Sequence, residues 1–241
     1  MRGQADYGAM AAKDSSASVS DMGEIASRLG SIVTFDKRGS VIGFDCFEVS
    51  ILKWAKGLAP LGETALLNSE NVKSGSQAVK MVTAANANSS VGISKTIPAL
   101  ASKSIGLEVS FSWLVTGCYL NLNISYYSGT KLYYVAVWVN KSTELIEIYD
   151  STGAWKSIGS GVIAEYTYFY FNTIKLVADF ATGYYKRLLY NNAEYDISTE
   201  AIYSVVSSST SLIGIGINLI NFTADAGGVW VDDIIWTQGE P

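Results

Sequence analysis

The stretch Asn172-Thr-Ile-Lys-Leu-Val-Ala-Asp-Phe180, Ala181-Thr-Gly183, Tyr184-Tyr-Lys-Arg-Leu-Leu-Tyr190, Asn191-Asn192, Ala193-Glu-Tyr-Asp-Ile-Ser198 decides the fold. Three short runs rich in β-branched and aromatic residues are separated by two turn signals. Gly183 can supply a positive φ in the first turn, and Asn191-Asn192 tolerates one in the second. Alternate residues from Ile174 to Phe180 are apolar, whereas Lys175 and Asp179 have the opposite parity. This period predicts half-buried antiparallel strands.

The same alternation continues through most of the chain from Gly43 onward. The predicted strands cover 91–97, 105–114, 119–127, 131–139, 144–149, 162–171, 211–221 and 228–236. Many short strands with a single helix candidate predict an all-β fold, a two-sheet antiparallel β-sandwich of the jelly-roll type. Parity places Ile213, Ile215, Ile217 and Val231 between the two sheets.

Residues 1–40 differ in composition and are predicted to form an N-terminal arm, followed by a sandwich domain at 41–241. Asp21 and Glu24 suit the start of one short helix. Its apolar stripe would comprise Ile25, Ala26 and Leu29. Such an arm packs either beside its own domain or on a neighbouring subunit. Formation of a homo-oligomer through the arm is therefore expected, with a self-docked terminus as the alternative.

Composition excludes several classes of function. Of the 241 residues, 49% are hydrophobic and 16% are charged, which suits one large domain with a substantial core. The net charge of −5 and the lack of a basic block argue against nucleic-acid binding. The chain has no histidine, which excludes zinc hydrolases and enzymes that need an imidazole base. Cys46 and Cys118 have no metal-like spacing and are expected to be free thiols unless the fold pairs them.

No insertion into a membrane is expected, because no apolar run approaches the roughly 18 residues that a spanning helix needs. The N-terminus, Met1-Arg-Gly-Gln-Ala-Asp-Tyr7, lacks an apolar signal region. Localisation is left open between a virion and a cell surface.

Two adjacent predicted strands carry polar and aromatic residues on their non-core face. The candidate ligand-binding residues are Tyr119, Asn121, Asn123, Tyr134 and Trp138. Gly214 and Gly216 have the same parity on another strand and would leave the sheet surface low. Aromatic rings stack on sugar faces and amides bond hydroxyl groups, so this face predicts a shallow groove for a neutral glycan. The alternative is that Tyr134 and Trp138 pack under loops or against the arm.

The central stretch, Ile174-Lys-Leu-Val-Ala-Asp-Phe-Ala-Thr-Gly-Tyr184 continuing to Ser198, resembles the late strands of concanavalin A-like lectin/glucanase domains. Gly227-Gly-Val-Trp-Val-Asp-Asp-Ile-Ile-Trp236 is similar to the last strand of jelly-roll carbohydrate-binding modules. Asp45-Cys-Phe-Glu48 with Trp54, and the segment Glu70-Asn-Val-Lys-Ser-Gly-Ser-Gln77, are similar to their first strands. The resemblance spans residues 43–236 and implies the fold more strongly than any function.

In such modules a structural calcium often links the first strands to the last. The resemblance implies Asp45, Glu48, Asp232 and Asp233 as ligands, and calcium prefers hard oxygen ligands of this kind. Strand parity puts Asp232 and Asp233 on opposite faces, so one of the two is expected to join the site. The alternative is an exposed Asp at a strand edge and a second Asp bonded to a turn.

The sequence carries no clear catalytic constellation. Glu144 and Glu147 are three residues apart, so a strand points them to opposite faces and they cannot form a glycosidase pair. The run from Tyr185 to Asn191 resembles the Tyr-Phe-Lys-x-x-x-Tyr strand of alginate lyases, in which a Tyr can act as acid and base. The histidine that usually assists is missing. We therefore expect a non-catalytic, lectin-like carbohydrate-binding domain. The alternatives are a structural subunit of a phage particle or surface assembly without sugar affinity, and a polysaccharide lyase or glycosidase.

Overall fold

The computed structural model describes Asp36 and residues 38–58, 62–114, 117–160 and 170–241. The chain divides into two units, Met1–Phe35 and Asp36–Pro241, and all the described residues belong to the second. The predicted helix at 21–30 and most of the predicted strand at 162–171 lie outside the described residues. Self-association through the arm therefore stays a prediction.

Sixteen strands and no helix occur in the described parts of the chain, which confirms the all-β prediction. The strands are β1 Ser40–Asp45, β2 Ala55–Leu58, β3 Thr64–Asn68, β4 Ala78–Val82, β5 Ser90–Pro98, β6 Ser104–Trp113, β7 Cys118–Tyr127, β8 Lys131–Asn140, β9 Leu145–Tyr149, β10 Trp155–Ser160, β11 Asn172–Asp179, β12 Tyr184–Tyr190, β13 Ala193–Asp196, β14 Tyr203–Val206, β15 Leu212–Asn221 and β16 Gly228–Gln238. None of these described residues forms a helix long and apolar enough to cross a membrane.

The strands form two antiparallel sheets of eight strands each. The first, sheet A, has the order β13-β12-β11-β6-β16-β4-β3, with β1 also paired to β16. The second, sheet B, has the order β10-β9-β8-β7-β15-β5-β2, with β14 paired to β8. The predicted two-sheet β-sandwich is confirmed.

The central stretch forms three consecutive antiparallel strands, as the sequence predicts, and they lie at one edge of sheet A. β11 pairs with β12, and β12 pairs with β13. Gly183 has a φ of 80° and Asn191 a φ of 50°, so both turns use the left-handed conformation that these residue types tolerate. Local turn chemistry therefore determines this three-stranded segment.

The hydrophobic core lies between the two sheets. Ile213 and Ile217 are completely buried, Ile215 is 2% exposed, and Val231 of the opposite sheet is also buried. Burial of each such side chain contributes about 1.5–3 kcal/mol to the free energy of unfolding. The predicted inward-facing set is confirmed.

The outer face of sheet A is covered rather than solvated. Lys175, which parity places on this face, is only 1% exposed. Its Nζ lies 2.8 Å from Asp36 Oδ2 and 2.7 Å from Glu240 Oε1, and Arg187 also pairs with Glu240. Glu108 is the cross-strand neighbour of Lys175, and burial raises the pKa of its carboxyl to about 7. Segments from both ends of this unit therefore close the face with buried charges.

Candidate functional site

The outer face of sheet B carries an open groove of about 560 Å³ over β5, β15 and β7. The strand register places Gly214 between Thr96 and Ser125, and Gly216 between Ser94 and Asn123. Side-chain hydroxyls and amides therefore stand on both sides of the two glycines. The uncharged polar side chains that line the groove are those of Ser94, Thr96, Asn123, Ser125, Tyr127, Ser209 and Asn218.

All five predicted site residues lie on this outer face, although they do not play equal parts. Asn123 lines the groove itself. Asn121 is 4% exposed and Tyr119 is 7% exposed, so both offer little surface to a ligand. Trp138 is the cross-strand neighbour of Asn121, and Tyr134 that of Ser125; both are half-buried. Their role in ligand binding stays a prediction.

The two glycines of β15 differ in the space that they leave. A Cβ at Gly214 would come no closer than 3.6 Å to Ser125 Cβ, so the surface there is low, as predicted. A Cβ at Gly216 would lie 2.7 Å from Asn123 Oδ1, because the Asn123 side chain already occupies that space. Gly92 of β5 leaves the same kind of space for Asn218. The sheet surface is therefore low at Gly214 but not at Gly216, whereas the sequence predicted a low surface at both glycines.

A cluster of three amides borders this floor. Asn121 Oδ1 accepts a hydrogen bond from Asn123 Nδ2 at 2.9 Å and another from Asn218 Nδ2 at 3.4 Å. Asn218 and Asn121 are paired across β15 and β7. One buried carbonyl oxygen thus fixes the orientation of two half-buried amides at the edge of the groove.

An aromatic series continues from the amides across the rest of sheet B. We use this name for Phe222, Tyr119, Trp138, Trp155, Tyr149 and Tyr203. The Tyr119 and Trp138 ring centroids are 4.1 Å apart, and those of Trp138 and Trp155 are 3.6 Å apart. Trp155 and Tyr149 follow at 5.2 Å. Trp155, which sequence reasoning missed, enters through the pairing of β10 with β9.

The Tyr119 and Tyr134 hydroxyls of this face stay protonated near neutral pH. Burial raises the pKa of Tyr134 to about 12, and it also raises the pKa of Tyr119. The buried Trp138 indole N–H meets no acceptor among the described residues, and the Tyr119 and Trp155 rings pack against the Trp138 ring. The series therefore offers aromatic surface with neutral polar edges.

The groove is almost free of charge. Lys95 is the single charged residue among the described residues that line it. Lys95 Nζ lies 4.9 Å from the ring centroid of Trp236 and 5.5 Å from that of Trp54, two buried side chains of the core. The ammonium group is therefore engaged by indole rings inside the sandwich. Glu147 is the cross-strand neighbour of Trp138 and stands beyond the groove, within the aromatic part of the face.

No protein-family model and no curated protein sequence matches the chain. Solved structures do match. An endo-β-1,4-glucuronan lyase from the fungus Trichoderma reesei has a TM-score of 0.56 at 10% identity, over 83% of this chain and 96% of that one. The cellulose-induced protein Cip1 has a TM-score of 0.54 at 14% identity, over 81% and 96%. A galectin-like protein of unknown function from Bacillus subtilis has a TM-score of 0.52 at 10% identity, over 84% and 97%.

The chain has the concanavalin A-like jelly-roll fold. This confirms the resemblance inferred from the central stretch and from the last strand. The chain also matches a sialidase at a TM-score of 0.53, but it spans only 19% of that protein. Identities of this size establish the fold alone, because one jelly roll hosts many functions.

The four calcium ligands implied by the resemblance do not form one site in this jelly roll. Within the described residues, no three His, Cys, Asp or Glu side chains are grouped so that they could hold a metal ion. Asp45 accepts hydrogen bonds from the Phe47 N–H and from Trp54 Nε1. Glu48 accepts three from Ser76 and Gln77. The oxygens of both carboxylates are thus occupied by hydrogen bonds from neighbouring residues.

Asp232 and Asp233 do come together, contrary to the parity argument. A register shift between Asp232 and Ile235 forms a bulge, and Asp233 adopts a φ of 46°. Asp232 Oδ2 accepts the Ser74 N–H, and Asp233 Oδ1 accepts the Ser74 hydroxyl at 2.7 Å. Burial raises the pKa of both carboxyls. Asp233 Oδ2 is buried without a hydrogen-bond partner, which suits a cation ligand.

The tyrosines of the alginate-lyase resemblance lie in the core. Tyr185 is 1% exposed, and its hydroxyl donates to the Tyr149 carbonyl at 2.7 Å. Tyr190 is completely buried. Burial raises the pKa of both hydroxyls. Neither side chain can reach a polysaccharide without a rearrangement of the core.

Proposed function

We propose that this jelly roll is a lectin-like domain that binds a glycan in the groove of sheet B without turning it over. The observation that carries the proposal is that the amide cluster beside the open groove adjoins the aromatic series on the same outer face, where Asn121 and Trp138 are cross-strand neighbours. Aromatic faces stack on sugar rings, and amides and hydroxyls bond sugar hydroxyl groups. The carbohydrate-related names of the structural neighbours agree with this proposal.

The open groove favours weak binding. Each net hydrogen bond contributes about 0.5–1.5 kcal/mol, and a ligand on an open surface keeps much of its contact with water. A few such bonds and one or two stacked rings correspond to dissociation constants in the micromolar to millimolar range. Strong binding would require a segment that encloses the ligand in the groove, and the described residues do not provide one.

Two observations support a non-catalytic role. No Asp or Glu is found among the described residues that line the groove, so the paired carboxylates of a glycosidase have no counterpart there. The tyrosines that would serve a lyase are buried in the core. The structural-subunit alternative stays a prediction that the binding experiment decides.

We also propose that a calcium ion would bind Asp233 Oδ2 beside Asp232, so that its positive charge would lie next to two buried carboxylates. The unpaired Asp233 Oδ2 supports this reduced form of the predicted site. Asp45 and Glu48 are left out, because both oxygens of each carboxylate already accept hydrogen bonds, whereas Asp233 Oδ2 accepts none. The ion would stabilise the link between the 73–74 loop and β16 rather than contact a glycan.

Glycan arrays followed by calorimetry test the binding, and assays for reducing ends and unsaturated products test for turnover. We expect binding without product, with binding lost in Asn123→Ala. Asn192→Ala, an exposed Asn in the turn between β12 and β13, is the matched control. Product release by the purified protein would make it an enzyme. Lack of any glycan binding would favour the structural-subunit alternative.

A further inference from the structure

We infer that Asn121 is a positioning residue that turns the carbonyl oxygens of Asn123 and Asn218 toward the groove, and that the groove therefore selects uncharged glycans over uronates. This inference rests on the proposed function and specifies its ligand class. It assigns different roles to three amides that the sequence does not distinguish.

The first step is the direction of the hydrogen bonds. A terminal amide has one carbonyl oxygen and one NH₂ group. Asn123 and Asn218 each donate a side-chain N–H to Asn121 Oδ1, at 2.9 and 3.4 Å. Their own Oδ1 atoms receive no hydrogen bond from any described residue. Two acceptors are thus left for a ligand.

The second step is the position of these acceptors. A Cβ on Gly216 would lie 2.7 Å from Asn123 Oδ1, and a Cβ on Gly92 would collide with Asn218 Oδ1. The same Cβ on Gly216 would lie 2.8 Å from Asn123 Nδ2, so the Asn123 amide lies flat over β15, and Asn218 Oδ1 lies over the neighbouring strand β5. Rotation of either amide by half a turn would place its oxygen against Asn121 Oδ1, where two acceptors repel each other. The 4% exposure of Asn121 keeps water from replacing the missing donor.

The third step is the chemistry of the ligand. A sugar hydroxyl can donate to both oxygens, whereas an ionised carboxylate can only accept. A uronate carboxylate at this position would face two acceptor oxygens. The one cation that lines the groove, Lys95, is held over the Trp54 and Trp236 rings. A carboxylate would thus face two partial negative charges without a free cation nearby, which is unfavourable.

Matched oligosaccharides test the selectivity. Cellohexaose and the β-1,4-glucuronan hexamer share a linkage and differ at C6, as do β-1,4-mannohexaose and the β-1,4-mannuronan hexamer. In whichever pair binds, we expect calorimetry to give the neutral hexasaccharide a dissociation constant at least tenfold lower than that of the uronate. A uronate that binds equally or more tightly would overturn the inference.

Two variants of Asn121 test the positioning role. Asn121→Leu removes the shared acceptor and frees the neighbouring amides to turn, so the affinity for the uronate should rise. The ratio of neutral-sugar affinity to uronate affinity should then fall to within about threefold. Asn121→Asp keeps an acceptor for both amides and should retain the preference for the neutral sugar. A purely structural role would weaken both sugars equally in Asn121→Leu and leave the ratio unchanged, which would contradict the inference.

A ligand-independent measurement separates this inference from the proposed function. The side-chain NH₂ resonances of Asn123 and Asn218 should show one hydrogen-bonded proton each in the wild type and in Asn121→Asp. They should move toward free-amide positions in Asn121→Leu. Unchanged resonances in Asn121→Leu would refute the orientation. Intact hydrogen bonds between the side-chain amides, with no binding to any of the four sugars, would instead count against glycan binding.

Discussion

Trp138 and Trp155 stack with their ring centroids 3.6 Å apart and their planes 23° from parallel. The two residues belong to β8 and β10, which are not neighbours, because β9 lies between them. Their rings therefore meet above β9 and join the amide cluster to the far edge of sheet B. This contact makes one aromatic surface from residues of separate strands.

Replacement of Trp155 by Ala should weaken glycan binding about three- to tenfold, because it removes a ring contact of about 0.5–1.5 kcal/mol and leaves Trp138 unsupported. Trp155→Phe keeps an aromatic face and should retain most of the affinity. Calorimetry measures both variants, and circular dichroism checks that the sandwich is intact. Unaltered affinity in Trp155→Ala would remove the aromatic series from the binding site.

Truncation of Ile215 to Ala should lower the free energy of unfolding by about 2–5 kcal/mol, because it removes transfer energy and leaves a cavity between the sheets. Ile215 is 2% exposed, whereas Val206 is 89% exposed. Val206→Ala is therefore the matched control, and it should change stability by less than about 0.5 kcal/mol. Chemical denaturation measures both. Equal effects of the two substitutions would show that the core faces are misassigned.

Replacement of Glu108 by Gln should remove part of the pH dependence of stability. Burial raises the Glu108 pKa from the ordinary 4.5 to about 7, while Lys175, Lys73 and Asp36 are the charged groups that act on it. Between pH 4.5 and 7 the folded state binds more protons than the unfolded state, so stability falls as pH rises. The loss approaches roughly 3 kcal/mol above pH 7.

Glu108→Gln should therefore be more stable than the wild type at pH 8 and equally stable at pH 4. Denaturation at a series of pH values measures the difference. Glu147→Gln, on sheet B, is the control and should keep the wild-type slope. An undiminished slope in Glu108→Gln would assign the proton uptake to another group, such as Asp232, whose pKa burial also raises to about 7.

Calcium should raise the melting temperature of the wild type, because an ion that binds only the native state stabilises it by mass action. Asp233→Asn removes one carboxylate but keeps an oxygen for the Ser74 hydroxyl, so this variant should lose the response to calcium. Magnesium, which demands tighter octahedral geometry, should act more weakly. A wild-type melting temperature indifferent to calcium and chelator would exclude the ion.

The sequence alone predicted most of the long strands, the turns of the central stretch and the two faces of regular strands. Gly183 and Asn191 define the turns that connect β11, β12 and β13, because few residue types tolerate a positive φ. Ile213 and Ile217 point into the core because strand side chains alternate, which is a property of the backbone itself. The same alternation placed Asn123 and Trp138 on one outer face.

The alternation of side chains between the two faces fails where the backbone departs from regular strand geometry. Asp232 and Asp233 are adjacent in sequence, yet both bond Ser74 because the bulge turns Asp233 back toward the same side. Trp155 was missed because its contact with Trp138 depends on the strand order β10-β9-β8. Neither a bulge nor a strand order can be read from the parity of one strand.

Tertiary structure alone decided which outer face is open. Parity assigns Lys175 of sheet A and Asn123 of sheet B equally to outer faces. Lys175 is buried because Asp36 and Glu240, which are far apart in sequence, close over it and pair with its charge. Asn123 stays accessible because no described segment crosses the groove above Gly214. Exposure of an outer face depends on distant segments of the chain, whereas alternation depends only on neighbouring residues.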